Sequence, residues 1–409
     1  MSTLRPDPLA RPRPTDQTDV RRHNAAVVLA AVADDGPVSR AGIAALTGLT
    51  RATVGSIVES LLAGGLVREG ATRSTTGIGR PGTDLTLDPD GGAGLGLEVS
   101  VDGLTVVVVD LVGTVRHRVT RPGDQRGRST AAVLRAGARL LDDAVDEARA
   151  QGLPVLGLGV AVPGLVDLGE QVLRLAPNLG WTDVPVVERL RSYAARPWPG
   201  PVTLDNEANL AALGELWSGS HGGTDSFVLV NGDVGVGAGV VLEGRLHRGS
   251  RGFGGELGHL TVAPEGPECR CGARGCLEQV AGLDSILRLA GVDAASTGDP
   301  VAPLLAALQA GDPRAISAVE AVAAPLGVGV SALVNLFDVD TVVLGGVFAP
   351  LFPWLEDPLT DVVARRVLSA TWAPVSVTAS LLGRDAAVVG AALTSVRALL
   401  RDPLTMGPT

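Results

Sequence analysis

The chain has 409 residues, 45% of them hydrophobic, with Lys+Arg 34 against Asp+Glu 44 and a formal net charge of -10. That length allows two or three domains with sizeable cores, and the acidic balance excludes a surface coated with nucleic-acid-binding charge, so any DNA contact is local. Three cysteines, an odd number, do not make a secreted disulfide framework.

Residues 1–19, rich in Pro, Arg and Asp, read as a disordered arm. They lack a continuous apolar stretch, which argues against a signal peptide and for a cytoplasmic protein. Residues 20–86 read as a winged helix-turn-helix domain. Val27, Val28, Leu29 and Val32 line one side of a first helix that ends before Gly36. Ser39 caps a short second helix carrying Ile43, Ala44 and Leu46, and Gly48 breaks it. Thr50 caps a third, with Val54, Ile57, Val58 and Leu61 facing inward and Arg51, Thr53 and Ser56 left outside. A helix that enters a major groove needs a slim polar face with an arginine at that end. Leu66–Glu69, followed by a Gly/Thr/Arg segment with Arg73 and Arg80, resembles a β-wing. Up to Gly82 there are ten arginines against seven acidic groups, the reverse of the whole chain. Arg51 and Thr53 suit base edges, with Ser56 beside them, and Arg80 suits phosphate or the minor groove. The alternative is a small helical dimerisation module with an arginine-bearing loop.

From 92 to 409 the pattern changes to α/β. Leu95–Arg118 reads as strand, tight turn at Asp102-Gly103 and a very apolar second strand, and Ser226–His247 repeats the plan. Helical sequence follows each, Ala131–Ala150 in the first half and Asp361–Val367 with Ala386–Leu400 in the second. Two similar lobes with a ligand cleft between them are expected. The apolar run Ala321–Phe337 is shorter than a typical span and holds Pro325, Ser331 and Asn335, so it is expected to be a buried helix in a protein with no membrane partner. Asp205 and Asn206 follow a predicted strand, Val202–Leu204, where an aspartate accepts from a hydroxyl or serves as general base. A helix N-cap is the other use of that position.

All three cysteines fall within eight residues, at Cys269, Cys271 and Cys276, and His259 lies ten positions before the first. One imidazole and three thiolates suit a closed tetrahedral Zn2+ site of structural type within residues 255–280. Reduced buried thiols or a redox pair are the alternative. Metal binding through one ring nitrogen of His259 leaves the other to donate. Glu256 and Glu278 flank the site in sequence, and carboxylates beside an imidazole are natural partners for sugar hydroxyls. The two glutamates alternatively serve as solvated groups or braces.

These residues resemble the ROK family, a grouping of bacterial repressors, open reading frames and sugar kinases. The signatures are Val162-Pro163-Gly164-Leu165-Val166-Asp167, Asn178-Leu179-Gly180-Trp181, Asp205-Asn206-Glu207-Ala208-Asn209, Gly255-Glu256-Leu257-Gly258-His259 and the run from Cys269 to Glu278. The resemblance implies an actin-like, ribonuclease-H-like pair of lobes behind the winged helix-turn-helix of the regulator branch. It implies sugar contacts from Asp205, Asn206, Glu256, His259 and Glu278 with Gly164 at the pocket edge, and zinc on His259, Cys269, Cys271 and Cys276. Family kinases carry Asp-x-Gly-Gly-Thr and Gly-Thr-Gly-x-Gly-Ala-Gly for phosphate. Here Glu98-Val99-Ser100-Val101-Asp102 and Asp233-Val234-Gly235-Val236-Gly237-Ala238-Gly239 put bulk and carboxylates where those loops need glycine and threonine. The expectation is a dimeric or tetrameric, sugar-responsive repressor of carbohydrate-utilisation genes, with operator DNA and a monosaccharide as partners and a spoiled ATP site. The alternative is a sugar kinase that also binds DNA, with Asp205 as its base.

Overall fold

A computed structural model describes residues 16–73, 82–218, 224–293, 299 and 301–404. The contacts divide the chain into two compact units, 1–91 with 397–409, and 92–396.

The first unit begins with α1 (Gln17–Asp35), started by a capping box in which the Asp16 side chain accepts from the Asp19 N–H. The helix therefore takes up residues 17–19 of the expected arm. It is followed by β1 (Val38–Ser39), α2 (Arg40–Thr47), α3 (Arg51–Ala63), β2 (Val67–Arg73) and β3 (Gly82–Leu87). Ser39 caps α2, Gly48 ends it in the left-handed region and Thr50 caps α3, all as the side-chain chemistry requires. The two helices bend by 119° at their junction, as in a helix-turn-helix. Val28, Leu29, Ile43, Val54, Val58 and Leu85 are almost wholly buried, and the strands pair in the order β1-β3-β2. The residues between β2 and β3, with Arg80, lie outside those described.

The second unit holds two five-stranded sheets of identical topology. In the first, β4 (Ala93–Val99), β5 (Gly103–Asp110), β6 (Val115–Pro122), β7 (Val155–Val162) and β11 (Val202–Asn206) stand in the order β11-β7-β4-β5-β6. The second has β12 (Phe227–Gly232), β13 (Val236–Leu242), β14 (Arg245–Leu246), β15 (Thr341–Gly346) and β16 (Ser376–Ala379) in the order β14-β13-β12-β15-β16. Each runs antiparallel through its first three strands and parallel through the rest. In the first lobe α4 (Thr130–Ala150) and α5 (Val186–Tyr193) cover one face, and a small antiparallel sheet of β8 (Leu165–Asp167), β9 (Val172–Ala176) and β10 (Trp181–Val184) branches from β7. In the second, α7 (Leu277–Ala281), α8 (Leu283–Ala290), α9 (Ala302–Gln309), α10 (Pro313–Phe337) and α11 (Phe348–Arg366) build the outer layer. Helix α10 is 25 residues long and apolar enough to cross a membrane by length and composition. It instead buries Val319, Val322, Leu326 and Val330 in that core, as expected for its apolar run.

Two helices change lobes. Helix α6 (Glu207–Trp217) follows the last strand of the first sheet yet packs on the second, and α12 (Ala386–Arg401) follows the last strand of the second yet packs on the first. Period-2 alternation along β4 makes the latter possible: Leu95 and Leu97 face the α4 side while Gly94 and Gly96 face α12. A Cβ at Gly94 would lie 2.0 Å from the Ala392 carbonyl oxygen, and one at Gly96 2.1 Å from that of Val388. The helix expected to belong to the second half thus rests on the first lobe, in the groove left by Gly94 and Gly96, just as Gly237 and Gly239 of β13 receive α6. Residues 397 onward also leave the expected 92–409 domain. They join the first unit, where Asp402 pairs with Arg22.

Candidate functional site

The cleft between the lobes is built where strands end. Gly164, in the turn after β7, has φ +101, and a Cβ there would lie 2.1 Å from the Leu175 carbonyl oxygen, so the turn admits only glycine. Its carbonyl accepts from Asn206 Nδ2 at 3.1 Å. Asn206 also caps α6, its Oδ1 accepting from the Ala208 and Asn209 N–H groups at 2.8 and 3.1 Å. The N-cap is therefore Asn206, and Asp205 is turned away. Both Asp205 oxygens pair with Arg248, at 2.9 and 2.6 Å, and Asp205 is not among the residues lining the cavity. The residue after the cap, Glu207, takes the place in the wall that the sequence had suggested for Asp205.

Opposite stand Glu256, His259 and Glu278. The one-turn helix Leu257–His259 and the start of α7 carry the last two. His259 Nδ1 lies 3.8 Å from Cys269 Sγ, and its Nε2 faces Glu256 at 3.9 Å. Glu278 is buried, with one oxygen accepting from Asn178 Nδ2 at 3.3 Å and the other 3.0 Å from Cys269 Sγ. Asn178, between β9 and β10, belongs to the other lobe. Arg270 of the cysteine loop also donates to the Asn178 carbonyl, at 3.2 Å.

The ligand atoms of His259, Cys269, Cys271 and Cys276 all lie within 4.8 Å of one another, and the Cys271 and Cys276 sulfurs are 3.7 Å apart. Thiolates bound at about 2.3 Å around a tetrahedral ion would stand about 3.8 Å apart, so this set fits a metal ion. Burial pushes the Cys276 thiol above its ordinary range and the Cys269 thiol well above it, a cost that a bound cation would remove.

The cavity is strongly acidic. Glu98, Glu207, Asp233, Glu256 and Glu278 all line it, and no Lys or Arg does among the described residues. Glu98 and Asp233 open onto the cavity but are otherwise walled in by protein. Burial, with Asp233 and Asp102 nearby, pushes Glu98 up to about 8. Burial and Asp102 raise Asp233 to about 7. Glu207 is raised well above its usual range by burial and by Glu256, Asp233 and Glu98.

A second cavity of about 430 Å³ adjoins, sharing Glu98, Ser100, Asn231 and Asp233. Its lining includes Glu98, Ser100 and Asp102 of the first stretch compared above with phosphate loops, and Asp233 of the second. Ion pairs ring this cavity. Arg384, in the turn before α12, pairs with Asp102 at 3.1 Å and with Asp299 at 2.8 Å. Arg118 pairs with Asp385 at 2.9 Å. Asp102 is paired with a guanidinium of the other lobe.

On the first unit Arg51 and Ser56 are exposed along α3. Thr53 is partly committed, its hydroxyl 2.9 Å from that of Thr50 in the cap.

Two lobes of repeated topology, an interlobe cleft walled by carboxylates and a His/Cys3 cluster beside it are the features that the sequence signatures led one to expect of a ROK-type protein. The ROK family pattern matches residues 94–397, and the chain belongs to that family. The xylose repressor of Caldicellulosiruptor bescii is 30% identical over 403 residues, covering 95% of this chain and 99% of that protein. A ROK family transcriptional regulator described as a homologue of the E. coli Mlc protein superposes with TM-score 0.73 at 24% identity, over 94% of this chain and 98% of that one. A ROK family glucokinase from Streptomyces griseus, in complex with glucose and AMPPNP, superposes with TM-score 0.63 at 27% identity, over 74% of this chain and 98% of that one.

Proposed function

We propose that this protein is a sugar-responsive transcriptional repressor of carbohydrate-utilisation genes and that its cleft binds a sugar without phosphorylating it. One contrast carries the reading. The sugar side of the cleft is fully furnished, while the phosphate side holds Glu98, Asp102 and Asp233 and is crossed by Arg384. Likeness to xylose repressors along nearly the whole chain supports it.

In this reading Glu256, His259 and Glu278 meet the sugar hydroxyls from one lobe, and Gly164, Asn206 and Glu207 frame the pocket from the other. Zn2+ held by His259, Cys269, Cys271 and Cys276 supplies a fixed charge that orients the His259 ring and leaves Nε2–H as a donor. Arg51, Thr53 and Ser56, with Arg80, contact operator DNA, and a homodimer sets two recognition helices about 34 Å apart. Sugar favours one lobe closure, and closure favours a spacing of the reading heads that no longer matches the operator.

The test is a thermal-shift screen of unphosphorylated aldoses, D-xylose and D-glucose first, followed by release of DNA fragments selected from a random library. Binding that persists unchanged with every stabilising sugar would refute a sugar-controlled repressor. The likeness to a glucokinase, with Glu207 at the cavity wall, favours a second reading as a kinase. Steady sugar-phosphate production from ATP and magnesium would put that reading first.

A further inference from the structure

The carboxylate that the sequence nominates as a base has a different partner and a different task. The loop after β14 carries four glycines, Gly249, Gly252, Gly254 and Gly255, ahead of Glu256. Such a chain has little conformational preference of its own, yet it must present Glu256 and His259 to the cleft. Arg248 closes it into a ring, its carbonyl accepting from the Gly254 N–H at 3.0 Å. The Gly255 carbonyl accepts from the Ala238 N–H at 3.1 Å, which pins the exit of the ring to β13. The ring still needs an anchor on its outer side. Both Arg248 nitrogens supply it by gripping Asp205, the penultimate residue of β11 in the opposite lobe. The pair is largely shielded, with side-chain exposures of 28% for Arg248 and 10% for Asp205. Asp205 is itself fixed from behind: its Oδ1 accepts from the Asn206 N–H at 2.8 Å and Asn209 Nδ2 at 3.4 Å. A bidentate guanidinium–carboxylate pair fixes direction as well as distance.

We infer that Asp205 and Arg248 are positioning residues for sugar recognition: their ion pair holds the glycine loop so that Glu256 and His259 face Asn206 and Glu207 across the cleft. The inference rests on the sugar-binding reading. Asp205 touches no ligand in this arrangement. Removing either partner frees the loop and leaves the other charge uncompensated, and the two losses overlap because they break the same bond.

The experiment uses the full-length zinc-loaded protein and measures D-xylose and D-glucose affinity by calorimetry for wild type, Asp205→Asn, Arg248→Met, the double variant and the conservative Arg248→Lys. Metal content and melting temperature are recorded alongside. Each single change is expected to weaken sugar binding by about 10-fold or more with metal content unchanged. The double variant should lose no more than the worse single one, and Arg248→Lys should lie between wild type and Arg248→Met. Wild-type affinity in folded Arg248→Met or Arg248→Lys overturns the inference. So does a loss with Asp205→Asn alone, which would mean direct sugar contact, and so do losses that multiply in the double variant. Should Arg248→Met fail to fold, Arg248→Lys carries the test. A wild-type protein that binds neither sugar sinks the functional reading instead, which keeps the two failures apart.

Discussion

Asp102, in the turn between β4 and β5, and Arg384, in the turn before α12, form an ion pair of 3.1 Å that ties one lobe to the other across the second cavity. A triphosphate entering there would meet Asp102, Asp233 and Glu98 and would have to displace Arg384 from its partners. Wild-type protein is therefore expected to show no saturable binding of a fluorescent ATP analogue up to about 1 mM. Asp102→Thr combined with Asp233→Gly removes two acidic groups and takes away one of the two carboxylates that hold Arg384, so in weakly basic buffer, where Asp233 is ionised, the double variant should bind the analogue measurably. Equal affinity in both proteins would contradict the electrostatic account.

Chelation should act on sugar binding as well as on stability. Nδ1 of His259 lies 3.8 Å from Cys269 Sγ and Glu278 lies 3.0 Å from the same sulfur, so both groups proposed to meet the sugar depend on the order of the loop that would hold zinc. Cys276→Ser, at a fully buried ligand, is expected to abolish stoichiometric zinc and lower both the melting temperature and sugar affinity. Metal analysis with calorimetry checks this. A folded, metal-free sample with wild-type sugar affinity would break the link.

Charge should decide which sugars enter. Five carboxylates line the cavity without a lysine or arginine among its described residues. A neutral aldose should bind, and its 6-phosphate or uronate should bind at least about 100-fold more weakly, since each anion adds repulsion at short range in a poorly solvated site. Competition of D-glucose with glucose 6-phosphate and glucuronate measures the ratio.

The same carboxylates give stability a definite pH slope. Glu98 and Asp233 keep their protons up to about 8 and about 7 in the native protein, whereas unfolded carboxylates lose them near about 4. Over that interval the native state binds more protons than the unfolded one. Their contribution is thus complete at acid pH and lost as pH rises through 7 and 8. Glu207 works in the same direction, while Arg384 opposes it and Asp102, Asp284 and Asp385 reinforce it. Scanning calorimetry should show the melting temperature of 92–396 falling from weakly acidic to weakly basic buffer. Glu98→Gln with Asp233→Asn should flatten that fall, and an unchanged slope would argue against it.

Arg51 stands exposed at the first turn of α3, where the helix N-terminus also favours phosphate. Arg51→Ala should cost about 1–3 kcal/mol of operator binding and leave the melting temperature unchanged. Ser56→Ala should cost less, because it lacks the charge. Mobility shifts at two salt concentrations separate a base contact from a phosphate contact.

The lobes were legible because each opens with short, very apolar strands joined by tight turns, and Ser226–His247 repeats the plan of Leu95–Arg118. The helix-turn-helix was legible because Ser39, Gly48 and Thr50 are caps with little other use. The cysteine cluster declared itself by spacing. Which polar residue of the Asp205–Glu207 junction lines the cavity was not legible, since such a junction has several adjacent polar residues and spacing does not say which one faces it. A single distant residue, Arg248, settles that choice, and no local pattern pairs it with Asp205. Glu207 could have been suspected from the same motif, and Asn178 from its own. The lobe exchange of α12 was hidden because it depends on Gly94 and Gly96 lying opposite Val388 and Ala392, almost three hundred residues on.

That last helix means the two ends of the polypeptide are not independent parts. Residues 386–396 of α12 count with the two-lobed unit, and 397–401 count with the unit that holds α3. Arg22 near the start and Asp402 near the finish are ion-paired within that unit. A fragment cut after Gly91 would therefore be missing one of its own walls. Any chimaera that exchanges the reading head between relatives has to carry residues 397–409 along with 1–91.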